Sequence, residues 1–232
     1  MEGRVSSVQS LGAVDGPGLR YVVFLQGCPL RCEYCHNPET WEFSGGTVRT
    51  ARELADTIQH YRPYFGDTGG VTVSGGEPLM QPEFVSELFR LLHEKGIHTA
   101  LDTSGAGDLA RAEKVLDHTD LVLCDIKFPT EEGYRQHCGG SLAHTLDFLH
   151  LTEQRNIPVW VRHVVAPGLT DTPQSMRAIR EICARFPNIV KTEWLPFKDI
   201  CISKYESLGI PFPMAGRPAF SQKHIDMLLE SL

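Results

Sequence analysis

Three cysteines, Cys28, Cys32 and Cys35, fall within the string Gln26-Gly27-Cys28-Pro29-Leu30-Arg31-Cys32-Glu33-Tyr34-Cys35-His36-Asn37. Their spacing is C-x3-C-x2-C, on a segment with a glycine and a proline that directly follows the apolar run Tyr21–Leu25. A loop can wrap three thiolates around one centre, whereas a strand would send alternate side chains to opposite faces. Three soft sulfur ligands suit zinc or an iron–sulfur cluster. Structural zinc requires a fourth protein ligand, for which His36 is the nearby candidate. A cubane held by three thiolates leaves one iron open to chemistry. On spacing alone both readings stand.

Other polar groups recur at the ends of apolar runs. Ser74-Gly75-Gly76-Glu77-Pro78 follows Val71–Val73. Taken alone the glycine pair is a turn, although glycine also lets backbone approach a ligand closely. Leu101-Asp102-Thr103-Ser104-Gly105 and Leu123-Cys124-Asp125-Ile126-Lys127 end two further runs. Asp125 and Lys127, two residues apart on a strand, share a face and could be no more than a solvated ion pair. Val161-Arg162-His163-Val164-Val165 and Trp194-Leu195-Pro196-Phe197-Lys198 lie along two further runs, where a surface arginine or lysine is ordinarily just solvated. The remaining cysteines, Cys124, Cys138, Cys183 and Cys201, have no ligand-like spacing. Cys124 and Cys183 lie in apolar surroundings and read as core; Cys201 is left without a role.

The elements that must position these groups alternate between strand and helix. Strand-length apolar runs occur at Tyr21–Leu25, Val71–Val73, Leu121–Cys124, Val159–Val165 and around Val190–Leu195, with a weaker one at His98–Asp102. Continuous apolarity marks strands buried on both faces, as in parallel sheets. Between them, Thr50 and Glu53 form a capping-box pattern. Pro82 opens a helical pattern that Gly96 closes. Asp108, Thr172-Pro173 and Ser221 mark further helix starts. About six β-α units with no linker between them predict a single α/β domain over 1–232. A full eight-fold barrel takes about 250 residues, and the long loop at 26–49 consumes length. A partial (β/α)6 barrel of mainly parallel strands is therefore expected, with its chemistry at the strand C-terminal ends.

Bulk properties narrow the function. The 232 residues carry a net charge of −7, which argues against nucleic acid as the main partner, since phosphate binding needs a basic face. No apolar run approaches the roughly 20 residues of a membrane span. Met1-Glu2-Gly3-Arg4 leads into mixed polar sequence without a signal-peptide core, so a cytoplasmic protein is expected. Seven cysteines, unevenly placed in such a chain, read as thiols and metal ligands rather than disulfides.

The string from Gly27 to Asn37, with Tyr34 as the aromatic before the third cysteine, resembles the signature of the radical S-adenosylmethionine (SAM) superfamily. Its ending Cys35-His36-Asn37 and the upstream Val14-Asp15-Gly16-Pro17-Gly18-Leu19-Arg20 resemble more narrowly the activating enzymes of glycyl radical enzymes, those for pyruvate formate-lyase above others. The resemblance runs from Gly3 to about Lys198. It implies one [4Fe–4S] cluster on Cys28, Cys32 and Cys35, and SAM bound by Tyr34, Cys35, His36, Gly75, Gly76, Glu77, Asp102, Asp125, Ile126 and Lys127. It further implies a monovalent cation near Asp102 and Asp125, and a substrate peptide gripped by Asp15 and Arg162. Phe197-Lys198 stands where the family has Tyr-His, so Lys198 is the expected but divergent contact to the SAM carboxylate. The implied reaction is reductive cleavage of SAM to a 5′-deoxyadenosyl radical, which makes a glycyl radical on a partner, pyruvate formate-lyase first among candidates. No general acid or base is required. The implied electron donor is flavodoxin or ferredoxin, and the free protein is expected to be monomeric. Two rivals remain: a radical SAM enzyme acting on a small molecule, and a zinc-stabilised binding protein.

Overall fold

The computed structural model describes residues 1–232. Its eight strands are β1 (Glu2–Gly12), β2 (Arg20–Leu25), β3 (Thr47–Thr50), β4 (Gly70–Gly75), β5 (His98–Thr103), β6 (Leu121–Asp125), β7 (Val159–Val165) and β8 (Ile189–Pro196). They form one unclosed sheet in the order β3-β1-β2-β4-β5-β6-β7-β8. Six of them, β2 and β4 to β8, run parallel, each joined to the next by helical crossovers. These are the six runs expected from the sequence, and with their helices they make the partial barrel. Two strands are additions. β1 pairs antiparallel with β2 and with β3, extending the sheet at one edge. Much of β1 is polar and exposed, so it lacks the continuous apolarity that marks a strand buried on both faces.

The helices are α1 (Ala51–Gln59), α2 (Arg62–Phe65), α3 (Pro82–Glu94), α4 (Leu109–Leu116), α5 (Glu131–His137), α6 (Leu142–Gln154), α7 (Pro173–Cys183), α8 (Ile202–Leu208) and α9 (Gln222–Glu230). Their starts follow the sequence signals. Thr50 accepts from the Glu53 amide at 3.2 Å while Glu53 accepts from the Thr50 amide at 3.1 Å, satisfying two otherwise orphaned donors of α1. Asp108, Thr172 and Ser221 cap α4, α7 and α9 with side-chain oxygens. Beyond α3, Gly96 turns the chain at a φ of 64°, a left-handed conformation that favours glycine.

Strand alternation gives the parallel sheet two faces. Val23, Val71, Val73, Leu101, Val122, Cys124 and Val161 belong to the main core together with Leu54 of α1, Phe84 and Leu88 of α3, Val115 of α4, Phe148 of α6 and Ile179 of α7. On the other face Ala100, Leu121 and Leu123, with Trp160 against them, make a small apolar cluster inside the barrel. No helix is long and apolar enough to cross a membrane.

Candidate active site at the strand C-terminal ends

A cavity of about 400 Å³ opens where the parallel strands end. The loop after β2 forms one wall and carries the three cysteine thiols, all of which line the cavity. Several backbone bonds hold that loop in place. Gly27 donates to Thr40 at 2.8 Å, Arg31 to Cys138 at 2.8 Å and Glu33 to His137 at 3.0 Å. Tyr34 Oη donates to the Lys127 carbonyl at 3.0 Å, and Tyr205 Oη to the Cys35 carbonyl at 3.1 Å. Lys204 Nζ bonds Asn37 Oδ1 at 2.8 Å and Glu39 Oε1 at 2.6 Å. A loop fixed this way presents its thiols in a set geometry before any metal arrives.

Burial pushes the Cys28 thiol up to about 12, with the Glu77 carboxylate and the neighbouring thiols adding to the effect. Burial likewise takes Cys35 to about 11. Cys32 is raised well above its usual value, first by a hydrogen bond with Cys138 and then by burial. Cys138 thus lies beside Cys32, a proximity its sequence spacing did not reveal. Three buried or half-buried thiols on one cavity disfavour their own ionisation, and a cationic centre reverses that balance. No three His, Cys, Asp or Glu side chains come close enough to hold a single metal ion. His36, moreover, donates its Nε2–H to the Lys198 carbonyl at 2.8 Å. The zinc tetrahedron of Cys28, Cys32, Cys35 and His36 is therefore not assembled; the thiols ring a space instead. Three soft thiols lining one cavity are a donor set that fits an iron–sulfur cluster.

The opposite wall comes from strand ends. Gly75 and Gly76 close the gap between β4 and the cysteine loop: a Cβ on Gly75 would collide with the Leu25 amide, and one on Gly76 with the Gly27 carbonyl. Their first requirement is thus chain against chain. Glu77 lines the cavity but is 1% exposed, and Thr103 Oγ1, the Ser104 amide (2.9 Å), Ser104 Oγ (2.6 Å) and the Leu79 amide (3.1 Å) all donate to its carboxylate. It locks the end of β4 to the end of β5.

Asp102 Oδ2 accepts from Ser74 Oγ at 2.6 Å and from Arg162 Nη1 at 3.1 Å. Its Oδ1 is buried without a partner. Burial raises Asp102 to about 6, against the pull of Arg162. Lys127 Nζ meets Asp125 Oδ2 at 2.8 Å; burial opposes the lysine charge, but Asp125 and Cys32 outweigh it and raise its pKa. Burial also opposes the charge on Arg162, yet Asp102, Asp125, Asp15 and Glu193 together raise it. Asp15, on the β1–β2 loop, reaches the same cavity, and burial raises its carboxyl despite Arg162 and Arg20.

The structure thus gathers Asp15, Cys28, Cys32, Tyr34, Cys35, His36, Gly75, Gly76, Glu77, Asp102, Asp125, Lys127 and Arg162 around one space. Two expected residues stand apart. The Ile126 side chain lies in the main core, because Asp125 and Lys127 flank it on the opposite face. Lys198 is exposed and contributes only its carbonyl, to His36. Ser74, Thr103, Ser104, Trp41 and Lys204 line the cavity unforeseen, and Cys201, left without a role by the sequence, lies at its rim. Strand periodicity could have found Ser74, the neighbour of Asp102 across the sheet. Trp41 and Lys204 come from a loop and a helix with no such signal.

The profile of the Radical SAM superfamily matches residues 22–179. A pyruvate formate-lyase-activating enzyme of Clostridium pasteurianum is 44% identical over 236 aligned residues, covering 98% of this chain and 99% of its own length. The chain belongs to the radical SAM superfamily, in the family of pyruvate formate-lyase-activating enzymes. Among other members of that family, one from Staphylococcus aureus is 42% identical across 92% of this chain and 88% of its own. One from Listeria monocytogenes is 38% identical across 92% and 89%. A solved domain of the pyruvate formate-lyase-activating enzyme of Bacteroides vulgatus superposes with a TM-score of 0.57 at 21% identity, covering 70% of this chain and 91% of that one. Streptococcus suis SuiB bound to its precursor peptide SuiA superposes with a TM-score of 0.72 at 11% identity, over 90% of this chain and 44% of that one. These two likenesses bear on the fold. Membership of a radical SAM family implies a [4Fe–4S] cluster and SAM, and the thiol-ringed cavity fits the cluster.

Proposed function

We propose that this chain activates a glycyl radical enzyme, pyruvate formate-lyase before others, by removing one hydrogen atom from a glycine of that partner. When bound, the cluster and SAM supply one-electron cleavage of a carbon–sulfur bond and a 5′-deoxyadenosyl radical able to take that hydrogen. The observation that carries the reading is the convergence of three loop thiols with Glu77, Asp102, Asp125, Lys127 and Arg162 on one cavity. The 44% identity to a pyruvate formate-lyase-activating enzyme along nearly the whole of both chains supports the choice of partner.

The chain's own residues bind, orient and exclude water. Cys28, Cys32 and Cys35 hold the cluster. Gly75, Gly76 and Glu77 form the rim that would receive the SAM amino group, and Glu77 ties that rim to Thr103 and Ser104. Tyr34, Cys35, His36, Asp125, Lys127 and the backbone of Ile126 surround the remainder of SAM. The unpartnered Asp102 Oδ1 is the candidate ligand for a monovalent cation near Asp125. Lys198, exposed, takes no part. Asp15 and Arg162 grip the peptide. Hydrogen transfer needs the reacting atoms about 3–3.5 Å apart, so the glycine segment enters the cavity itself. The chain acts as one domain in the cytoplasm, monomeric when free, and takes electrons from flavodoxin or ferredoxin.

The test is anaerobic incubation of the reconstituted, reduced protein with SAM and purified pyruvate formate-lyase, read by electron paramagnetic resonance. A glycyl radical signal on the lyase that Asp15→Asn weakens and Cys32→Ala abolishes supports the reading. SAM cleavage without any such signal contradicts the assigned partner and favours a small-molecule substrate.

A further inference from the structure

Arg20 opens β2 and is wholly buried, yet it does not line the cavity. Its guanidinium fills the base of the barrel. Nε donates to Thr72 Oγ1 at 3.0 Å, Nη1 to His98 Nδ1 at 3.2 Å and to the Pro17 carbonyl at 3.5 Å, and Nη2 to the Val71 carbonyl. Guanidinium only donates, so the His98 nitrogen facing it accepts. Having accepted from Arg20, the Thr72 hydroxyl has one proton to give, and it gives it to the Asp15 carbonyl at 2.6 Å. The relay from Arg20 through Thr72 to Asp15 therefore runs in one direction only, and it ends on the backbone of the residue whose carboxylate enters the cavity.

The loop is shaped to meet this peg. Gly16 has a φ of +124°, which side-chain-bearing residues rarely adopt. A Cβ there would lie 3.5 Å from Arg20 Nε and 3.6 Å from Thr72 Oγ1, so conformation rather than space requires the glycine. On the other side, a Cβ at Gly12 would lie 2.9 Å from Asp15 Oδ2, so the carboxylate rests over bare backbone. Val14, next to Asp15, is 75% exposed; apolar burial does not hold this part of the loop. Arg162 of β7 and Arg20 favour the charge on that carboxylate, and Glu193 of β8 opposes it.

We propose that Arg20 and Thr72 are positioning residues for the substrate peptide: they fix the Asp15 carbonyl and thereby aim its carboxylate at the glycine-bearing segment of the partner. The inference rests on the assignment of Asp15 to that peptide. It explains why a buried charged side chain lies below the small apolar cluster of Ala100, Leu121 and Leu123 rather than at the cavity mouth.

The experiment measures 5′-deoxyadenosine formed by the reconstituted holoenzyme against the concentration of a synthetic peptide spanning the partner's target glycine. Thr72→Val removes both bonds of the relay, whereas Thr72→Ser keeps them. Gly16→Ala disturbs the loop and leaves the barrel base untouched, so it carries the test if Thr72→Val fails to fold. Thr72→Val and Gly16→Ala are expected to raise the peptide KM about tenfold, the scale of one lost buried hydrogen bond, with kcat held within about twofold. Thr72→Ser restores the wild-type KM, and the Kd for SAM does not move. An unchanged KM in both variants, alongside a raised KM in Asp15→Asn, overturns the positioning role and leaves the peptide assignment standing. An unchanged KM in Asp15→Asn overturns the assignment, and the inference with it. Equal loss of SAM binding and peptide binding in Thr72→Val, not reversed by serine, marks a general structural role and also overturns it.

Discussion

Along the inner face of the sheet, an apolar floor and a charged mouth lie one pleat apart. On β5 Ala100 is followed at the next inward position by Asp102, on β6 Leu123 by Asp125, and on β7 Trp160 by Arg162. Two residues of strand separate them, about 7 Å. Below, side chains are held by burial of apolar area, which stabilises without direction. Above, charges are held by one another, at 3.1 Å for Arg162 to Asp102 and 2.8 Å for Lys127 to Asp125. Buried pairs seldom add net stability, yet breaking one leaves an uncompensated charge. The floor therefore keeps the barrel folded, and the mouth is retained for what it binds.

Several variants would break or sharpen that contrast. Cys32→Ala has the largest expected effect: cluster content and SAM cleavage fall to background while the circular dichroism spectrum of the apoprotein is retained, because the loop is held by other bonds. Arg162→Met strands Asp102 in a buried site and is expected to cost about 3–5 kcal/mol in urea unfolding. Activity per folded molecule falls with it. Leu123→Ala in the floor costs about 2–5 kcal/mol, but kcat per folded molecule stays near wild type. Equal loss of activity in both would erase the distinction between floor and mouth.

The smallest effect concerns pH. His163, on the helix-facing side of β7, is wholly buried, and burial lowers its pKa to about 4 although the Ile126 carbonyl accepts its Nδ1–H at 2.6 Å. The folded value lies below the unfolded one, so the stability from the neutral ring is complete above about 6.5 and is lost as pH falls towards 4. Urea unfolding of the apoprotein at pH 7 and pH 5 should show a loss of about 2 kcal/mol from this group. His163→Gln should remove that part of the pH dependence.

The contrast also explains what was legible in the sequence. Six parallel strands announced themselves because burial on both faces makes them continuously apolar. β1, with much of its length exposed and polar, carried no such mark, and neither did the short β3. At the mouth, Cys28, Cys32, Cys35, Asp102 and Asp125 were readable because each lies at a strand end or in one compact string, whereas Arg162, in the middle of β7, was reached only through the family resemblance. Lys198 stands off the cavity: it follows a strand end, but the chain turns there so that Phe197 is buried and Lys198 exposed. Glu77 was found without its attachment to Thr103 and Ser104, since the partners sit 26 and 27 residues away. The proximity of Cys138 to Cys32 depends on how α5 packs against the cysteine loop, which no spacing records.

The central claim is that the three loop thiols carry a cluster that works on SAM. Its most direct test is anaerobic reconstitution with iron and sulfide, followed by reduction in the presence of SAM and assay for 5′-deoxyadenosine. The account predicts a brown protein that forms 5′-deoxyadenosine, and a Cys32→Ala variant that forms none. A colourless protein that takes up one zinc, retains no iron and leaves SAM intact would contradict it.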